Sequence, residues 1–304
     1  MIEKHIPVLL NEVIESLDIK PNGIYVDLTL GRAGHSVEIL KKIKENGSGS
    51  LICFDKDKQA IEESKPKLNA ISNSYFLIKN DFRFLKNELD KLNITKVDGI
   101  LADLGVSSPQ LDQIERGFSY SKNTKLDMRM DLESTLDAYS IINNWEEDKI
   151  AQILYEYGDV KLSKLVAKSI INNRPIKTSF ELNDVIKKAL PAKIIRQKNP
   201  SKAIFQAIRI AVNDELNALD DLLSQIENLL NHNGKLVIIT FHSKEDAKVK
   251  KFFQNLNWKD PKLNKLPVQT KNNWKQKIIF PSKNELENNK RSHSAKLRII
   301  TKLG

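Results

Sequence analysis

Four short runs rich in branched and aromatic residues, 24–30, 50–55, 75–79 and 97–104, are separated by three segments of helical periodicity. The apolar positions of those segments are Val37, Leu40 and Ile43, then Ala60, Ile61 and Leu68, then Leu85, Leu89 and Leu92. Strand-like runs bounded by Gly, Asn or Asp and alternating with amphipathic helices make βαβ units. With right-handed crossovers, such a series predicts an α/β fold, a mostly parallel sheet with helices on both faces.

The alternation then breaks. From about 111 to 204 the pattern is helical only, and Thr178 followed by Glu181 reads as a capping box opening a helix that Pro191 stops. A continuous periodic stretch from Ile204 to Leu230, with Gly234 as its cap, returns the chain to three further strand-like runs at 235–241, 276–280 and 297–301. The expected organisation is a sheet domain in two parts, 1–110 and 205–304, interrupted by a helical insertion over 111–204. A length of 304 residues suits one domain plus an insertion.

Charge is unevenly placed along the chain, whose formal net charge is +10. Residues 161–204 hold 11 Lys and Arg against 2 acidic residues, and residues 256–304 hold 12 against 3. Residues 111–160 hold 5 against 11, and the remainder, 1–110 with 205–255, is about neutral. Two concentrated basic blocks around that neutral body point to a polyanionic partner. No apolar run reaches the roughly 18 residues of a membrane span. The single cysteine, Cys53, lies in an apolar run and has no intrachain partner. A cytoplasmic protein without a membrane association is the expectation.

Carboxylates fall at or beside the ends of the first four strand-like runs: Asp27, Asp55, Asp81 and Asp103. Ligands of open parallel sheets bind at that edge. The turn after Asp27 reads Gly31-Arg32-Ala33-Gly34-His35 and leads into a helix. A dinucleotide fingerprint, G-x-G-x-x-G, would need glycine where Ala33 and Ser36 stand. Its failure at two of three positions argues against a nicotinamide-dependent oxidoreductase. A ligand with a ribose diol, an adenine amine and a cationic tail suits a row of carboxylates better.

The segments 5–12 (HIPVLLNE), 27–36 (DLTLGRAGHS), 103–112 (DLGVSSPQLD), 116–119 (RGFS), 126–131 (LDMRMD), 205–216 (FQAIRIAVNDEL), 241–243 (FHS) and 292–298 (SHSAKLR) resemble the bacterial 16S rRNA (cytosine-N4) methyltransferase family, in order and in spacing. The resemblance implies a class I, Rossmann-like methyltransferase fold with an inserted helical domain that recognises RNA. It implies S-adenosyl-L-methionine as methyl donor and the N4 amine of a cytidine in the decoding region of 16S rRNA, within the small ribosomal subunit, as acceptor. It places cofactor contacts on Ala33, Gly34, His35, Asp55, Phe82, Asp103 and Gln110. The chain departs from the family in having Arg32 and Ala33 in the first turn, and Lys290 and His293 near the C-terminus.

Exocyclic N4 is conjugated with the cytosine ring, so acceptors must hold its N–H groups to free the lone pair. Many DNA amino-methyltransferases use a D/N/S-P-P-Y loop after the fourth strand; here that loop reads DLGVSSP over 103–109. Asp103 and, after the fifth strand, His242 are the candidate catalytic groups. The bland alternatives are a capping Asp and a structural His. Phe82 reads as core and adenine wall together, Met128 and Met130 as packing residues. No His/Cys cluster has metal-ligand spacing, so no catalytic metal is expected.

Overall fold

A computed structural model describes residues 6–197, 199–258 and 273–303. In chain order the elements begin with α1 (Leu10–Leu17), β1 (Ile24–Asp27), α2 (Gly34–Asn46), β2 (Ser50–Asp55), α3 (Lys58–Asn69), β3 (Tyr75–Lys79), α4 (Leu85–Lys91) and β4 (Val97–Asp103). Seven helices follow: α5 (Ser108–Asp112), α6 (Ala138–Asn144), α7 (Glu147–Gly158), α8 (Ser163–Asn172), α9 (Ser179–Ala189), α10 (Ala192–Gln197) and α11 (Pro200–Asn213). The chain ends with α12 (Glu215–Leu229), β5 (Leu230–Thr240), α13 (Ser243–Leu256), β6 (Trp274–Ile279), α14 (Lys283–Asn288) and β7 (Lys296–Lys302).

Two compact units result, one of residues 1–105 with 217–304 and one of residues 106–216. In the first, the seven strands form one sheet in the order β3-β2-β1-β4-β5-β7-β6. The strands β3, β2, β1, β4 and β5 run parallel, and β7 is antiparallel to both β5 and β6. Side chains alternate between faces along a strand, and here both faces are buried. Val26, Ile52, Phe54, Ile100, Ala102 and Ile238 pack with Leu85 and Leu89 of α4 and with Leu219, Leu222, Leu223 and Ile226 of α12. Their neighbours Tyr25, Leu51, Cys53, Leu101, Val237 and Ile239 pack with Val13 and Leu17 of α1 and with Ile39, Leu40 and Ile43 of α2. Burial on both faces explains why these strands read as apolar runs rather than as alternating ones.

The second unit has its own core, built by Ile141, Ile142, Ile150, Leu154, Val166, Ile170, Leu182, Ile186, Ile204, Phe205 and Ile208. One hydrogen-bonded cluster joins its loop to α11. Arg116 donates to the carbonyls of Arg129 and Met130, both at 3.0 Å. Asn213 donates to Met128 O at 2.8 Å and accepts from Met130 N at 2.8 Å. Met128, at φ 63 and fully buried, is thereby held in the left-handed region that a side chain disfavours.

The expected insertion boundaries need correction. The stretch from Ile204 to Leu230 is two helices, because Asp214 at φ 50 ends α11 with its N–H donated to Ile210 O. Phe205, Ile208 and Val212 belong to the helical core, and Leu219 onward to the sheet. The break at 204/205 therefore falls inside α11, and the compact unit runs to 216. Gly234 does not cap that helix; it lies within β5, where the pairing with β4 shifts register between Val97 and Gly99. The capping box expected at Thr178 is half present. Thr178 Oγ1 accepts from Glu181 N at 3.3 Å, while Glu181 reaches back to Lys177 N instead.

Candidate functional site

The C-terminal edge of the parallel strands is cross-linked by short side chains. Asp27, at the end of β1, accepts from Ser36 Oγ at 2.5 Å and from Thr29 N at 3.0 Å. Thr29 Oγ1 in turn accepts from Asp103 N at 2.7 Å, tying the turn after β1 to the end of β4. Asp55, at the end of β2, accepts from Gly31 N and from Asp57 N, each at 2.8 Å. Gly31 has φ 50, a conformation that favours glycine, and Ser64 of α3 holds its carbonyl at 3.0 Å. Asp81, after β3, caps a short 3-10 turn by accepting from Arg83 N and pairs with Lys56 at 3.4 Å.

The four aspartates are therefore not equivalent. Asp27 is buried and devoted to its own turn. Asp81 is a cap. Asp55 splits its two oxygens between backbone amides, each oxygen keeping a second lone pair. Asp103 differs again: its Oδ1 is buried with no hydrogen-bond partner, while Oδ2 lies 3.8 Å from His35 Nδ1. Burial pushes the carboxyl groups of both Asp55 and Asp103 up to about 6. For Asp103 the neighbouring His35 works in the lowering direction, and Asp27 and Glu245 in the raising one.

His35 lies in the first turn of α2 and is 6% exposed. Its Nε2 is 3.0 Å from the carbonyl of Val8. A carbonyl can only accept, so Nε2 carries the proton and Nδ1 faces Asp103. The start of α2 has no side-chain cap, and its first turn carries no acidic residue. Gly34 is dictated by close approach, since a Cβ there would lie 2.4 Å from Pro7 Cγ. Ala33 holds φ 61 with its methyl buried in the sheet core, so it offers the edge only its backbone. Arg32 is drawn into an ion pair with Glu63 of α3. Phe82 packs partly against the sheet core and stays partly exposed.

Two expected site residues turn out to be helix caps. Gln110 lies in the helical unit and forms a capping box with Ser107, whose N–H it accepts at 3.0 Å. The S-x-x-Q spacing over 107–110 was the readable signal for this. His242 is the N-cap of α13: its Nδ1 accepts from Glu245 N at 3.4 Å. Glu245 returns the contact by accepting from Phe241 N at 2.8 Å and His242 N at 3.2 Å. His242 Nε2 is 3.1 Å from Glu245 Oε1 but is not aligned for a hydrogen bond. The sequence reading passed over Thr29, Ser36 and Glu245. Their roles come from contacts among strand ends that spacing does not reveal.

Residues 2–303 match the MraW methylase family. The chain belongs to that family. The protein named ribosomal RNA small subunit methyltransferase H in Metamycoplasma arthritidis (strain 158L3-1) is 60% identical over 287 residues, 94% of this chain and 99% of that one. The protein of the same name in Mycoplasmopsis agalactiae (strain NCTC 10123 / CIP 59.7 / PG2) is 54% identical over 303 residues and the whole of both chains. In Mycoplasmopsis synoviae (strain 53) it is 52% identical over 304 residues, 100% of this chain and 99% of that one. The strand order, five parallel strands with β7 antiparallel beside β5, is that of a class I methyltransferase.

The edge residues fit S-adenosyl-L-methionine, the cofactor of a class I methylase. The unpartnered Oδ1 of Asp103 needs a donor, which an amine or hydroxyl supplies. The uncapped first turn of α2 presents backbone N–H groups to a carboxylate. Asp55 keeps lone pairs for a diol. Among the described residues no helix is long and apolar enough to cross a membrane.

Proposed function

We propose that this chain transfers a methyl group from S-adenosyl-L-methionine to the exocyclic N4 amine of a cytidine in the decoding region of 16S rRNA. The observation that carries the reading is the match over the whole chain, at 54% identity, to a protein named ribosomal RNA small subunit methyltransferase H. The cofactor supplies an electrophilic methyl group on a sulfonium. The chain supplies binding, alignment and electrostatics.

In this reading Asp55 accepts from the ribose hydroxyls and Phe82 covers the adenine. The α2 turn, through Ala33, Gly34 and His35, takes the carboxylate of the amino-acid tail. Asp103 accepts from the cofactor's ammonium through Oδ1. Carbonyls of the loop that begins at Leu104 accept from the N–H groups of the target amine and so free its lone pair. Gln110 keeps its place among the cofactor contacts as a residue whose carbonyl oxygen already caps α5. His242 caps α13 and shapes the loop after β5.

The helical unit is assigned to RNA. Lys187 and Lys188 on α9 and Lys193 and Arg196 on α10 are all exposed, with Phe180 at 46% and Ile194 at 36% exposure on the same two helices. Cations that position a phosphate backbone, with apolar side chains available to unstacked bases, suit a single-stranded RNA. The partner is proposed to be 16S rRNA of the small ribosomal subunit.

The test is mass spectrometry of nucleosides from small subunits incubated with the protein and labelled cofactor. The expected product is N4-methylated cytidine. A label found only on carbon 5 or on ribose overturns the assignment.

A further inference from the structure

The second basic block of the sequence lies outside the helical unit. Residues 273–303 of that block hold 8 Lys and Arg against 2 acidic residues, and Lys275, Lys277 and Lys283 are exposed. They build β6, α14 and β7, at the end of the sheet beyond β5. Strand pairing fixes where this end lies relative to the cofactor edge. Asp103 is opposite Ile239, Ile239 opposite Leu297, and Leu297 opposite Ile279, so one row crosses β4, β5, β7 and β6. β6 runs in the same direction as β5, because both are antiparallel to β7. Its last residues therefore reach the edge at which β4 ends, three strand spacings or about 14 Å from Asp103.

Phe280 follows that row directly and is 64% exposed, and Ile278, two residues before it, is 42% exposed. The ring is anchored all the same. Lys296 Nζ lies 5.7 Å from its centroid, and the same ammonium donates to Asp246 Oδ2 at 2.7 Å. The other oxygen of Asp246 accepts from Nε of the buried Arg298 at 2.7 Å. A cation fixed by a buried ion pair thus holds an aromatic ring that stands mostly in water. Lys275 and Lys277 have an ordinary role as well, since charge on an edge strand prevents pairing with another sheet. That role asks for no exposed ring beside them.

We propose that Phe280 is a stacking platform for an unpaired base of the rRNA flanking the target cytidine, with the neighbouring lysines holding its phosphates. The proposal rests on the reading of the substrate as 16S rRNA. Every base has a π-face, and an aromatic side chain among cations holds a single strand without reading its sequence. About 14 Å is the length of about four nucleotides at the roughly 3.4 Å rise of a stacked strand, and of fewer when the strand is splayed. The base on Phe280 is therefore a near neighbour of the target, and stacking it there helps to draw the target out of its own stack. A protein partner fits less well, because one ring and one isoleucine are too little apolar surface for a stable protein interface. The excess of Lys and Arg here matches a phosphate backbone.

The experiment is methyl transfer from labelled S-adenosyl-L-methionine to small ribosomal subunits, read as KM and kcat, with binding of the full chain to protein-free 16S rRNA alongside. Phe280→Ala is expected to raise KM for subunits and Kd for the rRNA at least about fivefold, the lower end of what one stacked base contributes. Phe280→Trp should restore both. Phe280→Leu, apolar but without a flat face, should behave like the alanine variant. KM for S-adenosyl-L-methionine should stay within about twofold and the unfolding temperature should not move, since the exposed ring supports no core. Unchanged KM and Kd in Phe280→Ala overturn the proposal. Full recovery in Phe280→Leu also overturns it, by making the contact apolar rather than stacked. A raised KM for subunits with unchanged rRNA affinity does the same, by placing a ribosomal protein on the ring. A failure of the substrate reading looks different: the wild-type chain then forms no N4-methylated cytidine in the small subunit, and both fall. N4-methylated cytidine from the wild type with a silent Phe280→Ala removes the platform alone.

Discussion

Asp55 Oδ2 accepts the backbone N–H of Gly31 at 2.8 Å, joining the end of β2 to the turn after β1. The other oxygen takes Asp57 N, so one carboxylate sets the shape of two of the loops that make the edge. This gives Asp55 two duties, holding the turn and accepting from a ligand. Replacing Asp55 by Ala removes both. Cofactor affinity is expected to fall by roughly 1.5–3 kcal/mol, about 10- to 150-fold, together with a lower unfolding temperature. Calorimetry on a folded variant checks it, and an unchanged affinity would remove Asp55 from the site.

Acid should act on stability and on cofactor binding in opposite directions. Asp55 and Asp103 have their carboxyl groups raised from 3.8 to about 6 by burial, so the folded chain binds these two protons more tightly than the unfolded one. Their contribution to stability is fully present below about 3.8 and is lost as pH rises through about 6. A ligand that donates hydrogen bonds prefers the ionised carboxylates. Lowering the pH from about 7.5 to about 5.5 should weaken S-adenosyl-L-methionine by about 16-fold in all, from about fourfold at each group. Titrations at several pH values read this directly, and a flat profile would show that neither ionised carboxylate contacts the ligand.

Gly34→Ala puts a methyl group 2.4 Å from the Pro7 ring. Either the segment Ile6–Leu9 or the first turn of α2 must move, and the Val8–His35 contact moves with it. Destabilisation of about 1–3 kcal/mol is expected, as for other overpacked sites, with weakened cofactor binding in the fraction that folds. Denaturant unfolding and calorimetry on one preparation suffice. Wild-type values in both would mean that this segment is loosely seated.

Cys53 is fully buried in the sheet core, and burial pushes its thiol up, away from the nucleophilic thiolate. Carbon-5 methylation needs a thiolate placed to attack the ring. Cys53→Ala should therefore leave methyl transfer within about twofold while costing about 1 kcal/mol of stability from the small cavity. Loss of turnover in a well-folded Cys53→Ala protein would point to a covalent mechanism.

The exposed cations of α9 and α10 give a test of the helical unit. Changing Lys187, Lys188, Lys193 and Arg196 to Glu should weaken RNA binding and flatten its salt dependence, by about 0.7 in log–log slope for each lost phosphate contact. Cofactor affinity should stay within about twofold, since these four residues belong to the helical unit and exposed charges are screened by salt. Binding and methylation of subunits at the wild-type level would move the RNA track to the basic C-terminal block, of which residues 259–272 lie outside the described ones. Lys198, part of the same basic stretch in the sequence, also lies outside them.

The local signals located the elements closely. The run 50–55 is β2 and the run 75–79 is β3, residue for residue, because apolar runs bounded by turn formers are a local property. The motifs gave the family. What spacing could not show is which core an apolar stripe serves. Ile204 to Leu230 carries one unbroken helical period, yet Ile204, Phe205 and Ile208 pack into the helical unit and Leu219, Leu222 and Ile226 onto the sheet. Periodicity reports that a face is buried, not against what, and a single αL residue at Asp214 redirects the chain without disturbing the pattern. The same limit divided the four aspartates. Their recurrence at strand ends was visible in the sequence. That Asp27 and Asp81 serve their own turns while Asp103 keeps a buried oxygen without a partner depended on Thr29 and Ser36. The segment Ile6–Leu9 is likewise fastened by Glu285 and Asn289, more than 270 residues away. Hydrogen bonds between strand ends and between chain ends carry no sequence period, so only the folded chain could decide them.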